Sequence, residues 1–189
     1  MGRIVAIDNV SLDGVVQDPA GDEGFTRGGW VGLLRDRPRL NKLALDEARE
    51  SEALLMGRRT YEWFASRWPS RSGELADRLN SMPKYVVSST LDKPDWSNTT
   101  VLRGDVLSEV SRLKNELAGE IQLPASFQLV RLLLEHDLID VLRVKVLPVV
   151  IGAGERLFGE TSEVKTMRLV NAETLDAIAV LTYERGPDS

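Results

Sequence analysis

Three short stretches carry the residue types that binding an anion requires. Gly57-Arg-Arg-Thr60 follows the apolar run Ala53-Leu-Leu-Met56 and opens a helical pattern. Amides at a helix start are unpaired and lie at the positive end of its dipole, so they suit a phosphate. Gly57 gives room for close approach, Arg58 and Arg59 offer charged forked donors, and Thr60 offers a hydroxyl or a cap. A plain helix cap with two solvated arginines has the same spelling. Ser88-Ser-Thr90 sets three hydroxyls just after Lys84-Tyr-Val-Val87, which makes either a second phosphate-friendly loop or an ordinary turn. Neither stretch is a P-loop, which needs Gly-Lys-Ser/Thr after its spacer. The third, Pro124-Ala-Ser-Phe-Gln128, joins a short strand to an amphipathic helix and has no glycine. Ser126 can donate from the helix start, while Ala125 and Phe127 carry Cβ atoms that restrict backbone and space alike. For Phe127 three readings stay open: stacking on a ligand, filling the groove, or packing as core.

Other candidates are single residues. Asp13, in Ser-Leu-Asp-Gly14, is a proton donor or the brace of a turn. Trp30, Trp63 and Trp68 line a planar pocket or fill the core. His136, the one histidine, closes an apolar helix, where a capping or dipole role is expected. With no cysteine there is no disulfide, thiol nucleophile or thiolate metal site, and no metal is expected.

The elements that hold these residues alternate. Arg3–Asn9 reads as a buried strand, and a loop rich in Gly, Asp and Pro runs from Ser11 to about Asp36, either a functional lid or a disordered excursion. A helix over Leu40–Glu52 precedes the strand Ala53–Met56. A helix opens at Thr60 and breaks near Pro69, and Glu74–Asn80 forms a short helix. Lys84–Ser88 and Asn98–Leu102 are strands, with a helix over Asp105–Leu117 capped by Asp105. A strand over Glu120–Leu123 leads to a helix over Phe127–His136. Ile139–Ile151 is a long β-rich run in which Arg143 and Lys145 alternate with apolar residues, predicting a strand face open to solvent or a partner. Met167–Glu173 and Ala177–Glu184 form a closing hairpin. This order implies an α/β sheet of mixed direction covered on both faces, with ligands at the carboxyl ends of its strands.

At 189 residues the chain fits one domain over 1–189, and 42% hydrophobic with 28% charged residues is ordinary globular composition. A net charge of −5 disfavours nucleic acid as a general partner. No apolar run approaches the length of a membrane span, so a soluble cytoplasmic protein is expected.

The segments Asn9–Gly14, Met56–Glu62, Lys84–Thr90, Leu123–Leu134, Ile139–Arg143 and Leu147–Phe158, in this order, resemble the dihydrofolate reductase-like family that includes the RibD C-terminal reductase domain. The likeness runs nearly end to end. It implies a three-layer α/β fold with a central mixed, mostly parallel sheet and a C-terminal antiparallel hairpin. It also implies an NADPH-dependent reductase of a small heterocyclic or conjugated substrate. By this resemblance Gly57, Arg58, Arg59 and Thr60 hold the phosphates, Ser88, Ser89 and Thr90 complete the adenosine side, and Pro124 to Gln128 form the second phosphate loop. The loop from Asp13 to about Trp30 covers the nicotinamide and substrate, with Gly14, Trp30 and Trp63 on the substrate side. Members are often dimers. Asn41 stands where folate-reducing members carry the helix carboxylate that holds the pterin, and Asp46 and Glu47 lie later in that helix than the match requires, so the substrate is not expected to be folate. The altered Pro124–Phe127 loop leaves a non-catalytic binder of another ligand or a protein as the alternative.

Overall fold

A computed structural model of the chain describes residues 1–33 and 37–186. The last residues of the loop predicted to run to Asp36, and the final residues of the predicted 1–189 domain, lie outside the described residues. Strand β1 (Arg3–Ser11) is apolar and buried along nearly its whole length, the pattern of a strand covered on both faces. It lies inside one eight-stranded sheet with β2 (Ser51–Gly57), β3 (Lys84–Val87), β4 (Thr99–Leu102), β5 (Glu120–Pro124), β6 (Val141–Leu147), β7 (Met167–Leu175) and β8 (Ile178–Arg185), in the order β4-β3-β2-β5-β1-β6-β8-β7. The first six in that order are parallel, so their carboxyl ends share one edge; β8 and β7 are antiparallel to their neighbours. Because β5 sits between β1 and β2, the chain crosses over there, and such a crossing opens a crevice at the strand ends.

Helices α1 (Arg37–Glu50), α2 (Arg58–Ala65), α3 (Glu74–Ser81), α4 (Val106–Glu116) and α5 (Phe127–Glu135) cover the sheet. Under one face Ile4, Ala6, Leu55, Ile121 and Leu123 pack with Val110 and Leu113 of α4 and with Val130 and Leu133 of α5. Under the other, Leu54, Met56 and Val86 meet Ala48, Tyr61 and Leu79 from α1, α2 and α3. Asp105 caps α4 as its position predicts, accepting from the Ser108 amide at 2.9 Å. No helix among the described residues is long and apolar enough to cross a membrane.

Two expectations change and one open alternative is decided. The strand predicted to Ile151 ends at Leu147, because Pro148 cannot donate to a ladder and the next residues turn back to bond the loop after β1. Of the two readings of the loop after β1, its described residues form the cover, with a 3-10 turn at Trp30–Leu33. Lys145 and Arg143 do not form an open, solvent-facing side of the strand. Their strand face lies under α1, where Lys145 Nζ meets Glu47 Oε2 at 2.8 Å and Arg143 lies 3.6 Å from Glu47 Oε1.

A second buried lysine closes the start of β3. Lys84 has no exposed surface, its ammonium donates to the carbonyls of Asn80, Met82 and Ser97 at 2.8–3.1 Å, and it lies 4.3 Å from the centre of the Trp96 ring. Replacing it with an apolar chain removes a donor from three carbonyls, of which that of Asn80 keeps the Ser97 hydroxyl. Lys84→Met is expected to cost about 3 kcal/mol of folding stability in urea unfolding, while Lys93→Met, on the exposed surface, costs almost nothing.

Candidate active site

The carboxyl ends of the parallel strands border a cleft of about 870 Å³. The end of β2 meets the end of β5 there. Gly57, in extended conformation, leads into α2, and Ser126 leads into α5 in the left-handed conformation, φ 58° and ψ 42°. Ala125 before it is also left-handed, at φ 49°. The backbone thus takes the conformation that glycine adopts freely although the residues are Ala and Ser, and this strains each of them by about 1 kcal/mol. Contacts hold the strained turn in place. The Ala125 amide donates to the Ile7 carbonyl at 2.9 Å, the Gly57 amide donates to Ser126 Oγ at 3.1 Å, and Ser126 Oγ lies 2.8 Å from Thr60 Oγ1.

This clip brings two helix starts together. No side chain caps α2 or α5 by hydrogen bonding, and neither has an acidic residue in its first turn. By contrast α4 is capped by Asp105 and carries Glu109 in its first turn, and α3 begins with Glu74 and Asp77. Two uncapped dipole ends at one spot form a site for a paired anion. Gly57, Arg58, Arg59, Thr60, Ser88, Ser89, Thr90, Pro124, Ala125, Ser126, Phe127 and Gln128, the residues singled out in the three loops, all line the cleft. Ser88 Oγ is committed to its own turn, accepting from the amides of Thr90 and Leu91, whereas Ser89 and Thr90 are exposed. Phe127 packs partly against the core under α5, with the Arg131 guanidinium 4.9 Å from its ring centre.

The loop after β1 reaches over α2. Asp18, 1% exposed, organises it by accepting from the amides of Gly21, Asp22, Glu23 and Phe25. Glu23 then pairs with Arg59 at 3.1 Å, and Asp22 bonds Arg67 and the Trp63 indole N–H. Exposed ion pairs of this kind contribute little and exchange readily for another anion.

The remaining predicted residues separate. Trp63 lines the cleft, beside Phe64 and Trp68. Trp30 is instead buried against Leu147, Ile178 and Val180, donating its indole N–H to the Gln17 carbonyl at 3.0 Å. Asp13 and Gly14 are not among the cleft's lining residues. The Asp13 carboxylate accepts from Ser11 Oγ and from the amides of Ile151 and Gly152 at 2.7–3.0 Å, and these bonds, the Ser11 hydroxyl foremost, hold it well below the usual carboxylate range. This is the geometry of a turn brace, the second of the two roles its sequence context allows. His136 caps α5.

The cleft also contains Asp8, Gln122 and Lys145, which sequence reasoning did not place in a site. Among the described residues, the buried side-chain atoms lacking a hydrogen bond are Asp8 Oδ2, Glu47 Oε1, Gln122 Oε1 and Trp68 Nε1, and all four residues line this one cleft. Unsatisfied buried groups are costly, and their concentration makes this cleft the candidate site. Asp8 was hidden inside an apolar strand pattern. The only visible signal for Lys145 was the alternation of charge in β6.

Two consequences can be measured. Burial pushes the Asp8 carboxyl up to about 7, against the pull of the Asn9 amide and of Lys145. Because the folded chain holds this proton more tightly than the unfolded one, the group favours folding at acid pH, and that contribution fades as pH rises from about 4 through 7. Thermal melts across this range should show Asp8→Asn gaining on the native protein as pH rises; a constant difference would contradict the buried acid. Ala125→Gly should relieve strain and raise stability by up to about 1 kcal/mol, while Ala125→Val should lower it by about 2 kcal/mol in urea unfolding.

With the site described, its relatives are informative. A solved structure from Shewanella sp. PV-4, provisionally assigned to riboflavin biosynthesis, superposes with a TM-score of 0.77 at 21% identity, covering 98% of this chain and 99% of that one. Dihydrofolate reductase from Enterococcus faecalis, complexed with NADP(H) and RAB-propyl, superposes with a TM-score of 0.64 at 17% identity, covering 98% of each chain. Their likeness establishes a three-layer, dihydrofolate reductase-like fold. The uncharacterized protein YyaP of Bacillus subtilis is 25% identical over 174 residues, 89% of this chain and 81% of YyaP. The model of the RibD C-terminal domain matches residues 4–181, nearly the whole chain, and the protein therefore belongs to the RibD C-terminal domain family.

Proposed function

We propose that the protein is an NADPH-dependent reductase of a small heterocyclic or otherwise conjugated substrate. The observation that carries this reading is the pair of uncapped, acid-free helix starts, α2 and α5, clipped side by side by Ser126 at the carboxyl edge of the sheet. A dinucleotide's diphosphate is a paired anion of matching charge. The amides at the starts of α2 and α5, with the hydroxyls of Thr60 and Ser126, would hold it. Arg58 and Arg59, with Ser89 and Thr90, would take the adenosine phosphate, with Arg59 leaving Glu23 to do so. When bound, the cofactor supplies a hydride to an unsaturated carbon. The chain's part is to position, to exclude water and to present polar groups. Trp63, Phe64 and Trp68 form an aromatic wall for a planar ring, and the loop organised by Asp18 covers it. The packing of Phe127 under Arg131 supports an open groove.

The reading extends to assembly. Strand β7 is exposed along most of its length at the sheet edge, with Leu169 and Val170 open, and this supports pairing of two copies through that edge. A cytoplasmic location fits a cysteine-free chain with no disulfide to maintain.

Calorimetric titration tests the central reading. NADPH is expected to bind more tightly than NADH, and Arg59→Ala is expected to weaken NADPH by about tenfold while leaving NADH almost unchanged. Absence of binding by the native protein, or binding gained only in Phe127→Gly, would overturn the reductase and favour the non-catalytic alternative.

A further inference from the structure

The two arginines at the start of α2 are engaged differently. Arg58 lies 3.7 Å from Glu62, a pair internal to the helix. Arg59 instead donates to Glu23 of the covering loop at 3.1 Å, and both residues line the cleft. Neither α2 nor α5 carries an acid in its own first turn, so the carboxylate that meets this electropositive edge is brought there by the loop. Glu23 sits on a cation where an anionic ligand would need it.

The loop does not depend on that pair for its shape. The buried Asp18 carboxylate accepts from the amides of Gly21, Asp22, Glu23 and Phe25, and Asp22 bonds the Trp63 indole and Arg67. The Glu23 side chain can therefore swing away while its amide stays on Asp18. The pair is also weakly held: 63% of the Arg59 side chain and 37% of that of Glu23 are exposed, so water and salt screen it. A phosphate monoester brings about two negative charges and three acceptor oxygens, and it outcompetes one carboxylate for a guanidinium. Asp22 differs from its neighbour in place. Its cation, Arg67, follows the end of α2 and is not among the cleft's lining residues.

We propose that Glu23 is a built-in stand-in for a cofactor phosphate, occupying Arg59 in the empty site and giving way to the adenosine phosphate while Asp18 and Asp22 keep the loop over the cleft. The exchange rests on the reductase reading and deepens it, because it names a group of the chain itself that regulates entry to the site. Each binding event breaks the internal pair first, so native affinity for a phosphate-bearing cofactor is lower than Arg59 alone would give.

The test is calorimetric titration of the full chain with NADP⁺ and NAD⁺, comparing native protein with Glu23→Gln, Asp22→Asn, Arg59→Ala and Arg59→Ala/Glu23→Gln. Glu23→Gln should tighten NADP⁺ by about threefold and leave NAD⁺ almost unchanged. Asp22→Asn removes the same charge one residue away and should not tighten NADP⁺. With Arg59 already replaced by Ala, Glu23→Gln should have no further effect, since the two residues act as a pair. A gain shared by NAD⁺, matched by Asp22→Asn or retained without Arg59 would show general repulsion by an acidic loop and overturn the stand-in. Unchanged or weaker NADP⁺ binding by Glu23→Gln would overturn it too, and in all these cases the reductase reading stands. Failure of native protein and every variant to bind NADP⁺ would instead remove that reading and the stand-in with it.

Discussion

The architecture of the cleft depends on a strained turn fastened by one hydroxyl. Ala125 and Ser126 both adopt positive φ, a conformation that costs residues with a Cβ. It persists because Ser126 Oγ joins the Gly57 amide to the Thr60 hydroxyl, and because the Ala125 amide extends the pairing with β1. Releasing that turn would separate the starts of α2 and α5, and with them the concentration of unpaired amides that makes the edge of the sheet electropositive. The absence of glycine therefore alters the energy of the loop more than its shape. Strain held by surrounding contacts, beside uncapped helices, is a pattern that functional sites tolerate and purely structural loops seldom need.

The same tension recurs deeper in the cleft. Asp8, Glu47, Gln122 and Trp68 keep buried side-chain polar atoms without hydrogen bonds, the four such residues among those described. Elsewhere the chain satisfies its buried charges: Lys84 reaches three carbonyls, and Lys114 bonds both Asp140 and the Leu138 carbonyl. Among the described residues, incomplete side-chain bonding is thus confined to the lining of the cleft. The covering loop follows the same logic at lower energy. Its Asp22 and Glu23 rest on Arg67 and Arg59 through exposed pairs that a phosphate could displace.

Much of this was legible in the sequence because it depends on local pattern. The apolar run of β1, the cap at Asp105, the stop at Gly57 and the order of elements follow from periodicity and turn chemistry, and the motif order identified the fold. The three loops at the strand ends were found for the same reason. What stayed hidden depends on pairs distant in sequence. Glu47 and Lys145 are 98 residues apart, so neither could be seen as half of an ion pair, and the charges of β6 resembled an exposed face. Asp13 fits two roles until the amides of Ile151 and Gly152 are seen to close on it. The missing glycines left the state of the loop open, because sequence alone does not show that Ala and Ser will accept φ > 0 when other contacts hold them there.

The most direct measurement is a crystal structure of the native protein grown with NADP⁺. The account predicts the diphosphate between the starts of α2 and α5, within hydrogen-bond distance of Ser126 or Thr60, with Ala125 and Ser126 still left-handed and Arg59 released from Glu23. A cofactor lying elsewhere, or a Phe127 ring occupying the place of the diphosphate, would contradict it.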